Sequence, residues 1–260
     1  MSSKREREYE RRRYEKWQQR QAKVRARRHR QRVIAGSVVG ALVVALGVTA
    51  AVALGRPTGT PVADDSPAPS TTPCVSDVPS PTASTGPLSL PDPSVAEGRT
   101  WAGTLHLCQG DIGFELDGAA APQAVANFVT LAQDGFFDGT KCHRLTTTGI
   151  YVLQCGDPTA TGTGGPGYTW GPIENAPPDD VYPAGTIAMA RQGGNGSSMG
   201  SQFFLVYQDS QIPSDEAGGY TVFGHITSGD DVLQAIADAG TVEGSQAPVN
   251  DVIIEGVETQ

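Results

Sequence analysis

The stretch FFDGTKCHRLTTTGIYVLQCGD (residues 136–157) and the tetrapeptide SQFF (residues 201–204) carry the chain's most informative chemistry. They place one arginine, Arg144, ten residues before a glutamine, Gln154, with a second amide at Gln202 and large apolar side chains nearby. An arginine is no nucleophile or proton acceptor. In a water-poor cleft it supplies donors and positive charge to a group that gains electron density during a reaction. From residue 98 onward there are 19 Asp/Glu against 4 Lys/Arg, so Arg144 on its own reads most simply as the partner of an acid on a rim. Gln154 and SQFF at their spacings favour the cleft.

Two further motifs fail their context. Gly162, Gly164 and Gly167 spell GxGxxG, but Pro166 and YTWGP follow, so the helix N-terminus that a dinucleotide fingerprint needs cannot form. Residues 196–200 spell GxSxG, but the next residues, SQFFLVY, read as a strand rather than the helix of a nucleophile elbow. Cys74, Cys108, Cys142 and Cys155 match no common zinc spacing, and no metal site is expected. Four cysteines allow three disulfide pairings, of which Cys142–Cys155, flanking a hairpin, is preferred. His106, His143 and His225 read as ordinary strand histidines.

The elements that must position these residues are mostly short strands. Leu105, Leu107, Ile112, Phe114 and Leu116 alternate about Gln109-Gly110-Asp111, a β-hairpin with one buried face. APQAVANFVTLAQDG predicts a helix with Pro122 in its first turn and Gly135 as its left-handed end. A second helix is expected over 230–239, capped by Asp230 or Asp231, facing inward with Val232, Leu233 and Ile236, and stopped by Gly240. Strand-like runs cover 143–145, 151–154, 186–190, 202–207, 220–226 and 252–257. Many short strands without βαβ alternation predict a mainly β domain, a closed antiparallel barrel with two helices over its ends.

From about Thr104 to Val257 this pattern resembles the cyclophilin-type peptidyl-prolyl isomerases, which share that eight-stranded barrel. The resemblance assigns Arg144 as the catalytic arginine facing the prolyl nitrogen. It assigns Gln154 to the substrate backbone and to holding Arg144. Tyr151, Met189, Phe203 and Ile212 would line a proline pocket. Gln202 would add a polar contact, Ala190 and Arg191 backbone groups, and Tyr220 one edge. The Arg144–Gln154 interval is two residues longer than usual. Tyr151 replaces the usual phenylalanine, Tyr220 stands where many members have histidine, and Arg191 where many have asparagine. QDSQIPSDEAGGY lacks the tryptophan of the most cyclosporin-sensitive members, so weak cyclosporin binding is expected. Such an enzyme requires no cofactor.

The net charge of −9 hides a split, because residues 1–32 balance at +10 and the remainder at −19. Residues 33–54 carry no charge and, as a helix, span about 30 Å, enough for a bilayer core. The basic flank places the N-terminus in the cytoplasm, and anionic lipid explains it more simply than nucleic acid. Gly36 and Gly40 form a GxxxG that could pair helices. Residues 55–97 hold ten of the 19 prolines and read as a disordered Pro/Ser/Thr-rich tether. The organisation expected is therefore a basic cytoplasmic segment (1–32), a transmembrane signal anchor (33–54), a linker (55–97) and an extracytoplasmic domain (98–260). The layout looks like the anchored cyclophilins of high-GC Gram-positive bacteria. The function it implies is X–Pro isomerisation assisting the folding of exported proteins. The alternative is a non-catalytic module that binds proline-containing segments in the cell envelope.

Overall fold

Period-two alternation runs through most of the strands and decides which side chains meet. A computed structural model describes residues 88–260. The basic segment, the 33–54 span with Gly36 and Gly40, the linker as far as residue 87, and Cys74 lie outside the described residues. Among the described residues no helix is long and apolar enough to cross a membrane.

The elements are β1 (Thr100–Leu107), β2 (Gly110–Asp117), α1 (Pro122–Gln133), β3 (Arg144–Thr148), β4 (Ile150–Cys155), β5 (Val181–Tyr182), β6 (Thr186–Met189), β7 (Phe203–Val206), β8 (Ser210–Gln211), β9 (Val222–Ser228), α2 (Asp230–Ala239) and β10 (Ile254–Thr259). Eight strands form one antiparallel sheet in the order β10-β1-β2-β9-β6-β7-β4-β3, while β5 and β8 pair separately. The sheet curls, but its edge strands β3 and β10 share no ladder, which corrects the expectation of a closed barrel. The backbone just before each edge strand joins them instead. Lys141 bridges Ile253, and the Cys142 N–H donates to the Val252 carbonyl at 2.9 Å.

The inner face of the sheet holds the main core. Phe128 of α1 meets Phe114, Phe137, Phe203 and Phe223 with ring centroids 5.8, 5.1, 5.2 and 5.4 Å away. Each such buried ring contributes roughly 1.5–3 kcal/mol by burial. Pro122 begins α1 as expected, but Ala121 at its N-cap offers no side chain. The carboxylate of Glu174 caps the helix from a distant loop, accepting from the N–H groups of Gln123 (3.1 Å) and Ala124 (3.0 Å). Neither Asp230 nor Asp231 caps α2. Gly229 is its N-cap with φ of 80°, and a Cβ there would lie 2.3 Å from the Asp111 carbonyl, so glycine fits where aspartate cannot.

Cys142 and Cys155 form the expected disulfide, with Cα atoms 3.9 Å apart. Packing also begins upstream of residue 98. Leu88 rests against the core, residues Pro93–Ala96 form a 3₁₀ turn, and fully buried Ala96 accepts a hydrogen bond from the Trp101 indole.

Candidate active site

One row of side chains crosses the sheet at right angles to its strands. Strand register pairs Arg144 with Gln154, Gln154 with Phe204, Phe204 with Ala188, and Ala188 with Val222. By alternation this row faces away from the main core. The neighbouring row, Leu145, Leu153, Leu205 and Ile187, faces into it. A cation, an amide, an aromatic ring and two small apolar groups therefore stand in line on one face.

The polar end is a hydrogen-bonded chain. Arg144 Nη1 donates to Gln154 Oε1 at 3.2 Å, Gln154 Nε2 to Gln202 Oε1 at 2.8 Å, and Gln202 Nε2 to the Gly164 carbonyl at 2.9 Å. Gln246, in the connection between α2 and β10, secures the other side of the guanidinium. Its Oε1 accepts from Arg144 Nε at 2.7 Å, and its carbonyl accepts from the Leu145 N–H at 2.6 Å. Two glutamines thus fix the plane of Arg144, and Nη2 has no hydrogen bond among the described residues.

The apolar end is a second, smaller cluster. Val152, Tyr182, Ala188, Phe204, Val206, Ile212 and Val222 are buried together, with Ala190 and Tyr220 packed at the margin. The Tyr220 ring meets Phe204 edge-on at 5.6 Å, and its N–H donates to the Tyr182 hydroxyl at 2.7 Å. Burial pushes that phenol up to about 12.

The glycine-rich stretch 162–167, which cannot bind a dinucleotide, instead walls a cleft of ≈ 610 Å³ together with Gln154, Arg191 and Gln202. Asp157, fully buried two residues beyond β4, organises that wall. Its carboxylate accepts from the N–H groups of Thr159 (2.7 Å), Thr161 (3.1 Å), Gly162 (2.6 Å) and Gly164 (3.0 Å), and from the Thr159 hydroxyl. Burial raises its pKa, but these donors outweigh burial and hold it below the usual carboxylate range. A Cβ at Gly164 would sit 2.0 Å from Asp157 Oδ1, so this loop requires glycine there. His143 lies beside it, and among the described residues neither ring nitrogen has a hydrogen-bond partner. Burial pushes its pKa down, Arg144 adds to that, and Asp157 opposes it.

Of the residues singled out in the sequence, Arg144, Gln154 and Gln202 are hydrogen-bonded in series. Ile212, Tyr220 and Ala190 meet around Phe204. The Ala190 N–H is taken by the Gln202 carbonyl at 2.9 Å. Arg191 turns its side chain inward, as described below. Three residues fall elsewhere. Met189 and Phe203 belong to the main core because β6 and β7 alternate, and Tyr151 packs edge-on against Tyr207 at 5.8 Å. Val152, Phe204, Asp157 and Gln246 were missed. The signal for Phe204 was in SQFF itself, since residues two apart share a strand face and Gln202 therefore travels with Phe204.

The family model for cyclophilin type peptidyl-prolyl cis-trans isomerase/CLD matches residues 103–259, well over half the chain. The chain belongs to the cyclophilin family. Among its relatives is a "Probable peptidyl-prolyl cis-trans isomerase B" of Mycobacterium leprae, 47% identical over 163 residues, which cover 57% of this chain and 53% of the relative. The similarly named Mycobacterium tuberculosis protein is 46% identical over 163 residues, covering 57% and 51%. The chain thus spans about half the length of these curated relatives. A Cryptosporidium parvum cyclophilin type isomerase, crystallised in the presence of the dipeptide Ala-Pro, superposes with a TM-score of 0.53 at 28% identity, covering 61% of this chain and 98% of that one. The cyclophilin match covers both ends of the row from Arg144 to Val222.

Proposed function

We propose that this cyclophilin is a peptidyl-prolyl cis–trans isomerase that turns X–Pro bonds in exported proteins. The observation that carries the reading is the registered row Arg144–Gln154–Phe204, which sets a fixed cation beside an apolar floor. Rotation about X–Pro is slow because amide resonance raises a barrier of about 18–20 kcal/mol. The prolyl ring rests on Phe204, Ile212, Val152 and Tyr220. Gln154 and Gln202 hold the flanking backbone, and the free edge of Arg144 donates to the imide nitrogen as its lone pair leaves conjugation. No bond is broken, so no nucleophile or cofactor takes part. Four decades of acceleration ask for roughly 5–6 kcal/mol, within reach of one preorganised donor plus orientation. The family relationship and the Ala-Pro dipeptide present with the Cryptosporidium protein support this substrate class. Met189 and Phe203 support the pocket from behind, and Tyr151 stands outside it.

The charge split and the uncharged run 33–54 support a single-pass anchor with the N-terminus in the cytoplasm and the isomerase domain outside, tethered near emerging chains. The absence of tryptophan from 208–220 supports weak cyclosporin binding. Protease added to intact cells tests the topology: digestion of the domain is expected, and full protection would overturn it. Turnover of a proline peptide by the full-length chain tests the activity. Binding without acceleration would instead favour the non-catalytic module.

A further inference from the structure

Arg191 uses its whole hydrogen-bonding capacity inside the protein. A guanidinium has five N–H donors. Nη1 and Nη2 each donate to Asp215 at 2.9 Å, as a fork. Nε donates to the Gly219 carbonyl at 3.0 Å, Nη1 to the Gln192 carbonyl at 3.0 Å, and Nη2 to the Gly218 carbonyl. The side chain is 0% exposed. Arg144, by contrast, spends only two donors. The Arg191 side chain therefore has no donor left for a substrate, and whatever that side chain does at the site it does through other residues.

The residue it acts on is Tyr220, whose ring centroid lies 4.6 Å from the guanidinium carbon. That distance is within cation–π range. The Tyr220 ring also meets those of Phe204 at 5.6 Å and Tyr182 at 6.3 Å. Asp215 binds the same assembly from outside, accepting also from the N–H groups of Gly194 (2.9 Å) and Ala217 (2.9 Å). The Arg191–Asp215 pair thus ties the 215–219 turn and the 192–194 loop to the margin of the apolar floor.

We propose that Arg191 is a positioning residue: locked by Asp215, it presses Tyr220 against Phe204 and so sets how tightly the prolyl ring is held. The inference rests on the isomerase reading of the same site. A latch of this kind holds the prolyl ring equally in the planar and the twisted state, so its loss raises KM and spares kcat.

The test uses the full-length protein and a proline-containing peptide, with Arg191→Lys and Asp215→Asn. Lysine keeps the charge but cannot form the fork. Asp215→Asn keeps the shape at a carboxylate that is 32% exposed, and melting curves serve as the folding control. Both variants are expected to raise KM about tenfold with kcat within about twofold. In a Tyr220→Ala background Arg191→Lys is expected to have no further effect on KM. Unchanged KM in both variants, a fall in kcat at constant KM, or full additivity with Tyr220→Ala would overturn the proposal. If the wild type proves inactive, the isomerase reading fails. Calorimetric peptide affinity then decides the latch: weaker binding by both variants supports it, and equal binding overturns it.

Discussion

Gln154 on β4 and Phe204 on β7 stand directly opposite one another, so the hydrogen-bonding and apolar halves of the site meet at one registered strand pair. Gln154 is also the centre of the polar chain, accepting from Arg144 and donating to Gln202. Any change at this position is felt on both sides.

Removing either glutamine that holds Arg144 should therefore lower activity without removing the cation. Gln154→Ala is expected to reduce kcat/KM by roughly 10–100-fold, since it frees the guanidinium and breaks the link to Gln202. Gln246→Ala, on a connection outside the sheet, is expected to cost about three- to tenfold. Steady-state kinetics on one peptide, with melting curves as the folding control, separate the two.

The paired phenylalanines of SQFF should behave differently. Phe203 lies among Phe128 and Phe137, and Phe203→Ala is expected to destabilise the fold by about 3–5 kcal/mol. Activity per folded molecule should be largely kept. Phe204→Leu removes the ring that Tyr220 meets while retaining apolar volume, so its signature is a raised KM with a modest loss of stability. If Phe203→Leu rather than Phe204→Leu raises KM, Phe203 and not Phe204 forms the floor on which the prolyl ring rests.

Much of this was legible beforehand, for physical reasons tied to particular residues. The β1–β2 hairpin, α1 and the Cys142–Cys155 disulfide follow from local alternation, helical spacing and flanking positions. The small β5–β8 ladder was missed because two-residue strands leave no periodic trace. The cap on α1 comes from Glu174, some fifty residues away, which no local pattern reveals. Gln246 reaches Arg144 across a separation of 102 residues. Phe203 and Phe204 are adjacent and identical, and composition cannot choose between them; the two-residue spacing from Gln202 does, and register with Gln154 agrees.

Acid should destabilise the domain in two stages. His143 has a lowered pKa in the fold, so below its ordinary value near 6.5 the unfolded chain takes up a proton that the native state does not. Stability then falls as pH drops from about 7 through the folded pKa. Asp157 is also lowered, so its contribution is present above the ordinary carboxylate value and is lost as pH falls through its folded pKa. Thermal melts across pH 3 to 8 check this, roughly. His143→Gln is expected to flatten the segment just below the ordinary histidine value and leave the lower one.

The Cys142–Cys155 disulfide closes a short loop, at a sequence separation of 13, around the hairpin that bears Arg144 and Gln154. Replacing both cysteines by alanine is expected to cost about 3 kcal/mol, roughly 6–12 °C in melting temperature. An unchanged melting temperature would show that the bridge adds nothing to this hairpin.

The most direct test of the central claim is isomerisation of a proline peptide by the full-length chain beside Arg144→Ala and Arg144→Lys. Wild-type acceleration with a loss of about 10²–10³ in kcat/KM for Arg144→Ala, and little recovery with lysine, is the predicted result. Equal rates for the wild type and Arg144→Ala, with both proteins folded, would contradict it.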